Sequence, residues 1–83
     1  MMVRQKAMAT EIAPGIVVDP SVKGGKPVIK GTRLPVDLLI GKLAGGMTRE
    51  QLMEEYGLKA TDVLLALRYA ARVVSLEHVR AGD

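Results

Sequence analysis

The sequence predicts a mainly α domain in which three helices follow a short N-terminal β arm. Apolar residues recur at helical spacing after Pro35, whereas short β-branched runs lie only before it. Two further helix starts are marked by capping residues at Thr48 and Thr61. With 83 residues, the chain has room for one small domain, since a chain of this size buries only about 60% of the surface it exposes when unfolded.

The first part of the chain is predicted to contain a leader and the β arm. The residues before Ile16 show no hydrophobic period and are interpreted as a flexible leader. Ile16–Val18 is a β-branched run that a turn at Asp19-Pro20 closes. Pro27–Leu34 has extended character, and Gly31 indicates a bend within it. The chain is thus divided into a leader at 1–15 and one domain at 16–83, with the arm at 16–34 and the helices at 35–80.

Three helices are predicted in the rest of the chain. Apolar residues at i, i+3, i+4 and i+7 mark the first, namely Val36, Leu39, Ile40 and Leu43. The second begins at Thr48, which forms a capping-box pattern with Gln51, and ends at Gly57. The third begins at Thr61, with Asp62 in the first turn, where the helix dipole favours negative charge. The last two helices form a helix–turn–helix, and all three together make a homeodomain-like arrangement.

The third predicted helix has two apolar stripes. The first consists of Val63, Leu67, Ala70 and Val74, and the second consists of Leu65, Tyr69, Val73 and Leu76. A helix in a three-helix domain buries one stripe against its neighbours, so the second needs another chain or the N-terminal segment to cover it. Because the chain has no Phe and no Trp to enlarge its own core, we expect the second stripe to form the interface of a homodimer or to bind a partner.

Composition argues against several classes of site. The absence of Cys excludes disulfides, thiol catalysis and Cys-ligated metals. Two Tyr are the only aromatic residues, too few for a platform that stacks single-stranded nucleic acid. The single His78 has no ligand partners at metal-binding spacing, and no nucleophile has a base. We therefore expect no catalytic residues, cofactor or metal, and, because no uncharged stretch approaches the roughly 20 residues of a membrane span, a cytoplasmic protein without membrane contact.

Charge is unevenly distributed along the chain. Residues 1–42 carry a net charge of +4 and residues 43–83 a net charge of −1, so a polyanion should be attracted to the first half. Lys26, Lys30 and Arg33 are predicted to contact phosphates of double-stranded DNA. Arg68 and Arg72 lie four apart on the third helix and could contact guanine. A solvated basic surface is the alternative for the first group. For the two helical arginines, the alternative is that they are solvated or paired with Glu54, Glu55 or Glu77.

A resemblance becomes specific at the run GGKPVIKGTR, residues 24–33. With further matches around it, the chain resembles the family called domain of unknown function 433 over about residues 16–71; these matches are IVVDP at 16–20, GMT at 46–48, EYGL at 55–58 and DVLLALRYA at 62–70. The family signature falls on Gly25, Lys26, Pro27, Gly31, Thr32 and Arg33, which either contact a ligand or shape the arm.

The resemblance implies a homeodomain-like helix–turn–helix fold and an antitoxin role in bacterial and archaeal toxin–antitoxin pairs, beside a PIN-like nuclease. It supplies no catalytic residues. The first hypothesis is accordingly a small, dimeric, DNA-binding antitoxin-like regulator. The alternative is a protein-interaction module that neutralises a PIN-like nuclease without reading DNA. Salt separates them, because a protein that makes several phosphate contacts loses affinity by orders of magnitude between about 50 and 200 mM salt.

Overall fold

The computed structural model describes residues 9–82, with side chains described from 9 to 76, and shows a three-stranded sheet with three helices. The elements in chain order are β1 (Thr10–Ala13), β2 (Ile16–Val18), β3 (Val28–Ile29), α1 (Val36–Ala44), α2 (Arg49–Tyr56) and α3 (Ala60–Gly82). The sheet is antiparallel in the order β1-β2-β3. The helices pack against one another, and α3 also packs against β2.

The prediction of a mainly α, homeodomain-like fold with a β arm is wrong, because the strands form a sheet that supplies part of the core. Ile16 and Ile29 are buried in the same apolar cluster as residues from all three helices, which include Leu39, Leu52 and Val63. Side chains on an exposed arm would be in contact with water. Residues 10–13, which the sequence analysis assigns to a leader, form β1 at the edge of this sheet. Residues 1–8 of that leader lie outside the described residues.

The β1–β2 hairpin is held against α3 at its turn. Gly15 occupies the turn with a φ of +77°, a left-handed conformation that glycine adopts without steric cost. Its N–H donates to Glu11 Oε2 at 2.9 Å, which closes the turn. Gly15 also lies directly against Leu65, since a Cβ added there would be 2.6 Å from Leu65 Cδ1. The hairpin therefore covers Leu65, which is one of the two ways in which the second stripe was expected to be covered.

The connection from β3 to α1 is closed by local hydrogen bonds. The Thr32 hydroxyl donates to the carbonyl of Ile29 at 2.7 Å and accepts from the N–H of Leu34 at 3.0 Å. The predicted bend at Gly31 is confirmed, with a φ of +82°. Pro35 is the N-cap residue of α1. This tight connection places the start of α1 directly beside the sheet.

Local signals predict the bounds of α2 correctly and the start of α3 incorrectly. The capping box is confirmed, with Gln51 N–H to Thr48 Oγ1 at 3.0 Å and Thr48 N–H to Gln51 Oε1 at 2.8 Å. Gly57 ends α2 in the left-handed conformation. Helix α3, however, begins at Ala60, because the carboxylate of Asp62 accepts from the N–H of Lys59 at 2.9 Å. The predicted cap Thr61 thus lies inside the first turn.

The buried face of α3 differs from the predicted first stripe. Val63 and Ala66 are fully buried, whereas Leu67 and Val74 are 37% and 62% exposed. The prediction assigned the large side chain of Leu67 to the core. In the structure the smaller side chain of Ala66 packs there instead. Beyond Ala70, every described side chain except the half-buried Val73 is exposed. The second half of α3 therefore extends past the core.

Candidate functional site

Three cations surround one exposed corner of the molecule. Lys23 and Lys26 line an open depression of about 500 Å³ together with Pro35, Asp37 and Leu38. Lys23 and Arg33 line a second depression of about 290 Å³, whose walls also include Pro35, Leu38 and Tyr56. The two depressions adjoin, because they share Lys23, Pro35 and Leu38. We call the group formed by Lys23, Lys26 and Arg33 the basic surface.

An unusual backbone turn supports the basic surface. Lys23 has a φ of +52°, and Gly24 and Gly25 follow with φ of +66° and +87°. The left-handed conformation costs a residue with a side chain about 1–2 kcal/mol, so Lys23 is strained where the two glycines are not. The N–H of Gly25 donates to the carbonyl of Val22 at 3.0 Å and closes the turn. Sequence analysis missed Lys23, for which the only signal was its place immediately before Gly24-Gly25.

Each predicted cation of the first half lies beside an acid. Lys26 Nζ is 3.0 Å from Asp37 Oδ2, and Lys30 Nζ is 3.0 Å from Glu11 Oε1. The hydrogen bond from Lys26 lowers the pKa of Asp37. The pKa of Asp19 is lowered mainly by the Ser21 N–H and hydroxyl, with a smaller contribution from the charge of Arg33. Ion pairs this exposed are weak in water, so their cations can exchange a carboxylate for a phosphate.

The structure separates Lys30 from the basic surface. The N–H of Lys30 donates to the carbonyl of Gly15 at 2.9 Å, and its side chain bonds to Glu11. Lys30 therefore belongs to the turn of the β1–β2 hairpin and lines neither depression of the basic surface. Of the three cations predicted on the arm, Lys26 and Arg33 share one surface.

Arg68 and Arg72 form a separate group on α3. Together with Tyr69 they line a pocket of about 190 Å³ against Ala13 and Pro14 of the hairpin. On the other helix of the predicted helix–turn–helix, the exposed side chains of α2 are largely acidic; they include Glu50, Glu54 and Glu55. A polyanion would be repelled by α2, so the arrangement does not favour α3 as a helix that reads base pairs.

The predicted interface residues divide between covered and open positions. Leu65 is half-buried beneath the hairpin, whereas Leu76 is 63% exposed. Tyr69 and Val73 lie with Ala70 and Val74 along one wall of an apolar groove of about 340 Å³. Pro27, Val36, Asp37 and Ile40 form the opposite wall. We call this the α3–α1 groove.

Two other kinds of site are absent from the described part of the chain. Within residues 9–82, no helix is long and apolar enough to cross a membrane. Among the side chains that the structure describes, no three His, Cys, Asp or Glu residues come together as metal ligands.

Comparison with known proteins identifies a family but no activity. The family model described as "Protein of unknown function (DUF433)" matches residues 16–70. The crystal structure of a DUF433 member protein from Anabaena variabilis is similar, with a TM-score of 0.69 and 28% sequence identity. That similarity covers 83% of this chain and 69% of the Anabaena chain. No curated protein matches the chain significantly.

Proposed function

The chain belongs to the DUF433 family, and on this premise we propose that it is a cytoplasmic, non-enzymatic, antitoxin-like regulator that binds the backbone of double-stranded DNA. The observation that carries the proposal is the grouping of Lys23, Lys26 and Arg33 around two adjoining open depressions. Lys and Arg that neutralise phosphates supply most of the affinity of sequence-independent DNA binding.

The placement of charge supports backbone contact rather than base reading. Phosphate contacts position a protein on the duplex without requiring a helix in the groove. The basic surface lies on a loop, on the β3–α1 connection and beside the start of α1, and Tyr56 of α2 also lines it, whereas Glu54 and Glu55 line a different depression. The proposal therefore expects weak dependence on DNA sequence and strong dependence on salt.

A pair of charge-matched variants tests the proposal. Lys23→Gln with Arg33→Gln removes two cations of the basic surface, whereas Lys42→Gln with Arg49→Gln removes two from the far end of α1 and the start of α2. The first variant should bind a duplex more weakly and flatten the slope of log affinity against log salt by about two units. The second should stay near the wild type. Equal duplex affinity and equal slopes for the two variants would show that the basic surface does not bind the duplex.

A second candidate function is the protein-interaction module that neutralises a PIN-like nuclease. It is favoured by Leu64 and Leu67, which lie one turn apart on α3, outside the α3–α1 groove, and are 45% and 37% exposed. A neighbouring pair of exposed leucines is suited to an apolar contact with another protein. The variant Leu64→Glu with Leu67→Glu should abolish inhibition of the purified nuclease while leaving duplex binding unchanged. Inhibition that survives this variant would exclude this face.

A further inference from the structure

Helix α3 is longer than the core that it packs against. Among the side chains of α3 that the structure describes, the last buried one is Ala66, yet the helix continues to Gly82. At about 1.5 Å per residue, residues 71–82 extend roughly 18 Å past the core. The two most exposed large apolar side chains of the described residues, Val74 at 62% and Leu76 at 63%, lie on this extension.

The α3–α1 groove begins where the core ends. Its walls are apolar apart from Tyr69 and Asp37, and the carboxylate of Asp37 is already bonded to Lys26 at 3.0 Å. A groove with a single, paired charge is a poor site for a polyanion or a charged peptide. It is suited to apolar side chains presented by a helix.

We propose that the occupant of this groove is a second copy of the chain, in a two-fold dimer in which each α3 extension lies in the groove of the other copy. Both halves of such an interface are present in one chain, because Val74, which forms part of one wall of the groove, is also 62% exposed on the extension. A two-fold interface uses the same patch on both subunits. The proposal does not rest on DNA binding, since the basic surface lies outside the groove apart from the Lys26–Asp37 contact.

The area is close to the lower limit for a specific dimer. Between Tyr69 and Leu76, where the side chains of α3 are described, the helix is about 12 Å long. Half-covering a helix about 10 Å across over this length removes roughly 230 Å² of accessible surface, and a similar amount is lost from the α1 wall of the groove. The total of roughly 460 Å² per copy, or about 900 Å² for the pair, is close to the ~1,000 Å² expected of a biological interface.

The charges on α3 do not oppose the pairing. At about 100° per residue, Arg72 and Arg68 lie roughly 160° and 120° around the helix from Val74. Both arginines line the pocket beside the hairpin rather than the α3–α1 groove. Two α3 helices can therefore meet through their groove faces without bringing four guanidinium groups together.

Sedimentation of the full chain tests the proposal. At micromolar concentration the wild type should have twice the 8.9 kDa mass of the chain. Val74→Glu should give a folded monomer, because the charge would lie inside the interface. The matched control Leu64→Glu, on the exposed side of α3, should remain a dimer. A wild type that sediments as a monomer, or a dimer that Leu64→Glu dissociates and Val74→Glu does not, would overturn the proposal.

Cross-linking provides a second measurement that does not depend on a disruptive charge. The natural chain has no Cys, so a single introduced cysteine is the only thiol. Val74→Cys should be linked to a covalent dimer by a short bismaleimide at low protein concentration, whereas Leu64→Cys should not. Linking of Leu64→Cys alone would place the interface on the other face and refute the groove as its site.

Discussion

Among the glycines for which the structure gives the surroundings, Gly15 has the closest neighbour. Its φ is +77°, and an added Cβ would meet Leu65 Cδ1 at 2.6 Å. We expect Gly15→Ala to lower the free energy of unfolding by about 1–2 kcal/mol through left-handed strain, and further because Leu65 must move.

A matched variant separates strain from contact at Gly15. Gly31 has a similar φ of +82°, but an added Cβ there meets nothing within 4 Å. Denaturant unfolding of Gly31→Ala therefore measures the strain alone. If Gly15→Ala costs no more than Gly31→Ala, Leu65 moves aside at no cost and its contact with the hairpin does not constrain Gly15.

Glu11 makes the hairpin sensitive to acid. The N–H of Gly15 lowers its pKa most, followed by the hydrogen bond and charge of Lys30, from an ordinary value of 4.5. A carboxyl with a lowered pKa in the folded state contributes stability above its unfolded pKa and loses it as pH falls through the folded value. The hairpin turn should therefore lose the contribution of Glu11 progressively as the pH falls below 4.5 and through the lowered pKa of Glu11.

Exchange of the Gly15 amide hydrogen measures this opening locally, apart from the titration of Asp19 and Asp37. In the wild type, protection of this amide should fall as pH drops below the ordinary pKa of Glu11, after correction for intrinsic exchange. In Glu11→Gln it should lose that dependence. A wild-type profile without any such fall would show that the carboxylate does not hold the turn.

At the scale of elements, the two threonines predicted as caps have different roles. Thr48 caps α2 through its hydroxyl, so Thr48→Ala should lower the free energy of unfolding by about 1 kcal/mol. Thr61 lies inside the first turn of α3, where Ala is the better helix former. Thr61→Ala should therefore change stability by less than about 0.5 kcal/mol or raise it slightly. Thermal unfolding of the two variants, measured in parallel, shows which of the two threonines caps a helix.

Elements whose signals are local could be predicted, and those that depend on distant partners could not. The two ends of α2 are set by hydrogen bonds between residues close in sequence. Thr48 and Gln51 form the start and Gly57 forms the end, so the pattern is visible in the sequence. The predicted β-branched run Ile16–Val18 is confirmed as β2, but β1 and β3 are only four and two residues long and have no pattern of their own. Strand β1 is defined only by its pairing with β2. The sequence therefore predicts a β arm where the structure has a sheet that forms part of the core.

The same distinction applies to the candidate site. Lys26 and Arg33 could be proposed from charge alone, and the structure places them on one surface. Lys30 could not be separated from them, because its partner Glu11 is nineteen residues away in the chain. The α3–α1 groove joins Pro27 and Ile40 to Val73 and Val74. The hydrophobic pattern of a single helix cannot predict a groove that two helices form together.

At the scale of the whole molecule, the basic surface and the α3–α1 groove are separate features that a dimer would combine. Each copy contributes the three cations of the basic surface, and a two-fold dimer presents two such sets. If both sets reach one duplex, the number of phosphates contacted doubles. The salt dependence of DNA binding then depends on the oligomeric state.

This dependence gives a prediction that links the two proposals. Each phosphate contact contributes about −0.9 to the slope of log affinity against log salt. A monomer with two or three contacts should show a slope of about −2 to −3, and the dimer about twice that. Val74 lines neither depression of the basic surface, so Val74→Glu should roughly halve the wild-type slope by dissociating the dimer, while Leu64→Glu leaves it intact. A halved mass with an unchanged slope would show that only one basic surface of the dimer contacts DNA.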